Sequence, residues 1–134
     1  SYPRSASLSA PFAFPKTRRL LSRRDFLRVQ RRGARAKGNG LVLIAMPGQR
    51  DQGRAGLVVS KKVGKAHLRN LIKRRLRHIL RENKNTFARR DLVVMALPQI
   101  ADLSFEDLKK DFFHTVSALN QNIQRRKKKR QTNG

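Results

Sequence analysis

The sequence predicts a mixed domain, an α+β or α/β two-layer sandwich in the order helix, strand, strand, helix, strand, helix around one central sheet. Three observations lead there. Apolar residues recur at three- and four-residue steps between Gly64 and Asn83, which marks one face of a long helix. Two compact apolar runs, Leu41 to Ala45 and Leu92 to Leu97, are too short for helices of their own and read as buried strands. Helix-opening pairs stand at Ser22 with Asp25 and at Ser104 with Asp107, where each side chain satisfies a backbone donor that the first turn leaves orphaned.

Taken in order, residues 1–16 hold three prolines, three alanines and four serines without sustained periodicity, so they read as a flexible arm. Phe12 and Phe14 are the aromatic exceptions there. The first helix opens at Ser22, carries the sparse stripe Leu21, Phe26 and Val29, and stops at Gly33. The Leu41 to Ala45 strand follows, then turn chemistry from Gly48 to Gly53. Arg54 to Ser60, with Leu57, Val58 and Val59, is expected as its hairpin partner. The long helix comes next, with Leu68, Leu71, Ile72, Leu76, Ile79 and Leu80 on its apolar face, and the strand Leu92 to Leu97 ends at Pro98. The last helix turns Phe105, Leu108, Phe112, Val116, Leu119 and Ile123 inward, with Leu103 stapled onto Leu108. It is expected to dissolve into the six consecutive basic residues Arg125 to Arg130. The organisation expected is an arm (1–16), one domain (17–124) and a basic disordered tail (125–134).

Charge narrows the function. The chain has 134 residues, 33 Lys and Arg against 8 Asp and Glu, and a formal charge of +25. Such a surplus repels itself and weakens the compact state unless a polyanion neutralises it. Nucleic acid is the first candidate because a dense cationic surface gains affinity by releasing counterions. A membrane surface fits less well, since basic residues run from Arg4 to Arg130 rather than along one amphipathic helix. No apolar run approaches the roughly 18 to 20 residues of a membrane span. The absence of cysteine excludes a disulfide framework, a thiolate metal site and a thiol nucleophile, and fits a cytoplasmic protein.

The chain's own side chains make a poor enzyme. Metal-dependent phosphodiester hydrolysis needs clustered acids. Asp102, Glu106 and Asp107 are better explained by the start of the last helix, where negative charge is favourable. His67, His78 and His114 lack ligand spacing, no serine sits in a GxSxG setting, and no phosphate loop of the GxxxxGK[ST] type is present.

The segment Lys61 to Arg90 carries twelve basic residues against the single acid Glu82. Arg69, Lys73 and Arg77 stand at i, i+4 and i+8 and form one ridge of the helix, with Asn70, Arg74 and Arg81 beside it. Like charges at that spacing repel, and a phosphate backbone relieves the repulsion. A plain solvated face would carry acids among the bases; this one has almost none.

Read in one piece, Ser60 to Leu80 (SKKVGKAHLRNLIKRRLRHIL) resembles the signature of the bacterial ribonuclease P protein subunit. Ser60-Lys61-Lys62, Gly64, Ala66, Arg69-Asn70, Ile72 and Lys73-Arg74 match that family's pattern of a strand ending in two lysines, a short turn and an Arg-Asn-rich helix start. Arg19-Leu20 with Asp25-Phe26, the strand before the motif and the strand Asp91 to Ala96 extend the similarity. Leu71 replaces the second arginine of the triplet, so one contact is missing or is supplied by Arg75, and Gln30 and Ile44 stand where aromatic rings are expected.

The resemblance implies an α/β sandwich with a parallel strand pair joined by a left-handed crossover, against the general rule. It also implies a division of labour. A large catalytic RNA would hold the Mg2+ and cut the phosphodiester between the 5′ leader and the mature part of precursor tRNA. The protein would grip that RNA through Lys61, Lys62, Lys65, Arg69, Asn70, Lys73, Arg74 and Arg77. A cleft between the first helix and the sheet, with Phe26, Leu41, Leu43 and Lys37, would hold the leader. No catalytic residue, bound metal, membrane contact or obligate protein partner is expected of the protein itself. Two other readings of the charge remain at this point, a structural RNA-binding protein of ribosomal type and an architectural DNA-binding protein.

Overall fold

The computed structural model describes residues 22–48 and 53–133, with side chains to residue 129. The expected arm with Phe12 and Phe14, as well as Leu21 and the centre of the 48–53 turn, lies outside the described residues. Among the described residues three helices and four strands follow one another as α1 (Arg23–Arg32), β1 (Ala34–Lys37), β2 (Leu41–Pro47), β3 (Arg54–Val58), α2 (Ala66–Glu82), β4 (Arg90–Ala96) and α3 (Phe105–Asn133). Short 3-10 turns cover Lys61–Val63, Lys84–Phe87 and Pro98–Asp102. Among the described residues no helix is long and apolar enough to cross a membrane.

The strands form one sheet in the order β1-β2-β4-β3, antiparallel except for the parallel pair β3 and β4. The expected hairpin between β2 and β3 is therefore corrected. β4 carries Leu92, Val93 and Val94, all buried, and a strand apolar on both faces belongs in the sheet interior with a neighbour on each side. It separates β2 from β3, and α2 provides the crossover that a parallel pair needs. The hairpin instead joins β1 to β2. Ala34-Arg35-Ala36-Lys37 is too short and too small-sided to signal a strand, yet its alanines are buried and its cations exposed in strict alternation. Asp111 of α3 fixes the turn between them, accepting the N–H groups of Asn39 at 2.7 Å and Gly40 at 2.9 Å.

Period-two alternation sorts the sheet into two faces. Leu41, Leu43, Ala45, Leu92 and Val94 join Ile72, Leu76, Ile79 and Leu80 of α2 and Leu108, Phe112 and Leu119 of α3 in the main core. The opposite face holds a smaller cluster, Val29 of α1 on Ile44 and Val93, with Phe26, Val42, Met46, Val58 and Met95 partly buried around it. α1 begins with the Asp25 N–H bonded to Ser22 Oγ at 3.1 Å and ends where the Gly33 N–H reaches the Val29 carbonyl at 2.7 Å. Gly33 is required by close approach, since a Cβ there would stand 2.7 Å from Ile44 Cγ2.

α3 starts at Ser104, whose Oγ accepts the Asp107 N–H at 3.1 Å. It does not give way at residue 125 but continues through the basic segment to Asn133. Lys, Arg and Gln are good helix formers, and cations favour the negative end of a helix dipole. Asn122 Nδ2 and Arg126 Nη2 also tie this stretch to the carbonyls of Arg35 (2.6 Å) and Arg32 (3.0 Å).

Candidate nucleic-acid interface

Two surfaces carry the residues singled out by sequence. The first is the turn from β3 into α2. Lys61 and Lys62 are exposed on the 3-10 turn, and Lys65 is exposed at the N-cap of α2, where it makes no side-chain capping bond. No acid occupies the first turn of the helix. The positive end of the α2 dipole and its leading N–H groups are thus left uncompensated beside three lysines, an arrangement that suits phosphate. Gly64 makes the bend possible, with φ 155° and ψ −167°, a region essentially closed to other residues. A Cβ there would meet Leu68 Cδ2 at 2.6 Å. Its carbonyl accepts the Arg69 Nε–H at 3.1 Å, which holds that guanidinium against the turn.

Along α2 the structure divides the expected ridge. Asn70 and Arg74 are exposed, and Arg69 and Arg77 are half-buried. Lys73 is only 5% exposed, so it is not an outward phosphate contact as the sequence suggested. The physical reason is its place at i, i+3, i+7 with Leu76 and Leu80, which puts its stem on the core stripe. Burial, then Arg77 and Arg69, hold the Lys73 ammonium below its ordinary pKa. Arg75 is half-buried, and its guanidinium lies 5.9 Å from the centre of the Phe105 ring of α3.

The second surface is the sheet face under α1. The strand register aligns Lys37, Val42, Met95 and Val58 across all four strands, and this row runs beside Phe26 and Gln30 of α1. Gln30 Nε2 reaches Met95 Sδ at 4.0 Å. Leu41 and Leu43 do not belong to this cleft; both are 0% exposed in the core on the other face. Their neighbour Val42 takes the position that the sequence assigned to them, because adjacent strand residues point to opposite sides. Phe26 and Lys37 do lie on the cleft side. Ile44, buried under Val29, fills the sheet centre where an aromatic ring was expected.

An ion cluster fixes α1 over this face. Arg54 Nε and Nη2 donate to the two oxygens of Asp91 at 3.1 and 3.0 Å, and Arg28 Nη2 reaches Asp91 Oδ2 at 3.3 Å. Arg54 Nη1 also meets Asp25 at 2.9 Å. Burial would raise the Asp25 carboxyl, but its hydrogen bond with Ser22 and the charges of Arg54 and Arg28 together hold it below its ordinary value of 3.8. The Asp91 hydrogen bonds raise Arg54 above its ordinary value. These acids are committed to arginine, and among the described residues no group of three or more His, Asp or Glu is placed to hold a metal ion.

Comparison with known proteins places this geometry. The family model for ribonuclease P matches residues 14–120. The ribonuclease P protein component of Desulforapulum autotrophicum is 41% identical over 100 residues, covering 73% of this chain and 85% of that protein. That of Acidothermus cellulolyticus is 39% identical over 110 residues, covering 80% and 92%. Among solved structures, the RNase P protein from Thermotoga maritima superposes with a TM-score of 0.66 at 30% identity, covering 73% of this chain and 94% of that one.

Proposed function

The chain belongs to the ribonuclease P protein family, and on that premise we propose that it is the protein subunit of a ribonuclease P holoenzyme that removes the 5′ leader of precursor tRNA. The catalytic RNA carries the reaction and its Mg2+, and the protein docks and orients. The observation that carries this reading is the turn from β3 to α2, where Lys61, Lys62, Lys65 and the uncapped N-terminus of α2 face solvent with no acid in the turn or in the first turn of the helix. In isolation these charges repel one another; against an RNA backbone they release counterions.

In this arrangement Lys61, Lys62, Lys65, Asn70 and Arg74 meet the catalytic RNA, and Arg69 and Arg77 support them from the flanks of α2. Lys73 contributes from beneath, as a cation whose charged form a bound phosphate would stabilise. The row Lys37, Val42, Met95 and Val58, with Phe26 and Gln30, offers the leader an apolar floor with a cation at its edge. Among the described residues one aromatic ring, Phe26, stands there and gives weaker stacking than several would, so the leader is held mainly through its backbone and sugar edges. The carboxylates of Asp25, Asp91 and Asp111 take no part in the chemistry, being engaged in the fold.

The test is reconstitution. The protein is mixed with the RNA subunit and precursor tRNA at low magnesium, where the RNA alone is slow. Marked acceleration of leader removal is expected, and a rate equal to that of RNA alone would overturn the assignment. Lys65→Gln with Arg74→Gln should lower the log–log salt slope of RNA binding by about 1.5, since each phosphate contact contributes about 0.7 to 0.9.

A further inference from the structure

A third surface carries charge that neither contact above uses. A hollow of about 520 Å3 lies between the C-terminal half of α3, the end of β2 and the residues leading into β4. Among the described residues five cations line it, Arg32, Arg89, Arg90, Arg126 and Lys127, and no carboxylate does. Its floor is apolar, with Ala34, Ala45, Pro47 and Ile123 among the lining. It shares no residue with the β3–α2 turn or with the row under α1.

Two of the cations, Arg90 and Arg126, are held in place by partners that carry no charge. Arg126 Nη2 donates to the Arg32 carbonyl at 3.0 Å, and Arg90 Nη1 to the Thr86 carbonyl at 3.3 Å and Asn120 Oδ1 at 2.8 Å. Arg89 has a left-handed backbone, φ 61°, rare for a residue with a side chain, and its carbonyl is fixed by the Gly48 N–H at 2.8 Å. Carbonyl and amide partners orient a guanidinium but leave its full charge for a ligand. Strained backbone and preset cations around an apolar floor are features of a binding site rather than of a solvated face.

We propose that this hollow is a separate RNA contact that takes one nucleotide of a single-stranded RNA segment. The phosphates lie against Arg90, Arg126 and Lys127, and the base rests on the apolar floor against a guanidinium plane. A single-stranded occupant follows from the floor, because a paired base cannot leave its stack to reach it. The inference rests on the RNA-binding reading above, and it gives the continuation of α3 beyond residue 124 a role, since that continuation brings Arg126 and Lys127 to the hollow.

The test compares charge-matched variants of the full chain binding a short oligouridylate that carries 4-thiouridine. Arg126→Gln with Lys127→Gln removes two cations from the hollow; Arg125→Gln with Lys129→Gln removes two from the same helix outside it. The first pair is expected to lose at least about fivefold more affinity than the second and about 1.4 of the salt slope, at roughly 0.7 per single-strand phosphate. Ala88→Trp, which fills the hollow and leaves the charge unchanged, should weaken binding as well. Ultraviolet crosslinks should fall in the peptides spanning 86–90 or 123–127. Equal losses from the two charge pairs, or crosslinks confined to α2 and the α1 side, would overturn the proposal. Precursor tRNA cleavage by the wild-type holoenzyme, run in parallel, reports separately on the ribonuclease P reading.

Discussion

Replacing Arg54 with Met probes the joint that sets α1 over the sheet. Asp91 has a side chain only 2% exposed, and Arg54 donates to both of its oxygens, at 3.1 and 3.0 Å. Arg28 remains in Arg54→Met, but it is 35% exposed and touches one oxygen at 3.3 Å. Breaking a buried pair from one side costs about 3 to 5 kcal/mol, because the remaining charge is left without compensation. The partial cover from Arg28 puts the expectation near the lower end, about 3 kcal/mol. With a urea m-value of about 2 kcal/mol/M for a small domain, the midpoint should fall by about 1.5 M. Arg54→Met with Asp91→Leu removes both charges and should recover most of that loss. The same single variant should weaken precursor tRNA binding more than binding to the catalytic RNA, since α1 borders the cleft and α2 does not depend on Arg54. A cost under about 1 kcal/mol, or a double variant no more stable than the single one, would refute the view of Asp91 as a buried charge that Arg54 compensates.

Three further outcomes follow from single groups. Lys73→Met should raise the urea midpoint at pH 7 while lowering RNA affinity. The folded pKa of Lys73 lies below its unfolded value of 10.5, so wild-type stability rises with pH between the two, and the advantage of the Met variant should shrink by about pH 10. A constant advantage would mean that Lys73 does not titrate as placed. Asp25 has a folded pKa below 3.8, so its contribution is complete above that value and is lost as pH falls through the lower folded one. Urea midpoints of wild type and Asp25→Asn should therefore converge as the pH is taken progressively below 3.8. Gly64→Ala places a Cβ 2.6 Å from Leu68 Cδ2 at a φ of 155°, which should cost about 1 to 3 kcal/mol and re-aim Lys61, Lys62 and Lys65. Gel-shift titration with the catalytic RNA would show this as lost affinity, and unchanged affinity would separate the turn from RNA docking.

Much of the fold was written locally. The periodic leucines of α2, the serine caps of α1 and α3 and the Lys61–Lys62, Gly64, Arg69–Asn70 sequence all act over a few residues, and all three helix starts lie where these signals put them. Strand partnership was not local. Nothing within Arg54 to Val58 says whether its neighbour is β2 or β4; that is decided by the need of β4 to be covered on both edges and faces. The site shows the same split. The cationic turn was legible because its residues are consecutive. Leu41 and Leu43 were misassigned to the cleft because alternation separates a strand into two faces without saying which one α1 covers. Lys73 was legible in principle: its spacing to Leu76 and Leu80 is that of the core stripe, a stronger constraint than its charge.

The few acids of this chain explain how so cationic a protein keeps a fold and a free binding surface together. Asp25 and Asp91 clamp α1 to the sheet through arginine, Asp111 holds the β1–β2 turn by its amides, and Glu82 pairs with His78 at 2.8 Å at the far end of α2. Glu106 and Asp107 sit in the first turn of α3, where the dipole favours them. No acid falls within Lys61–Val63 or in the first turn of α2. An acid placed there would relieve repulsion in the isolated protein, by a few tenths of a kcal/mol for each helical pair. It would also compete with every phosphate that approached. The compact state is left less stable alone and gains what it lacks from a polyanion that binds only the folded form. Stability and RNA affinity are in this sense set by the same choice of where negative charge is withheld.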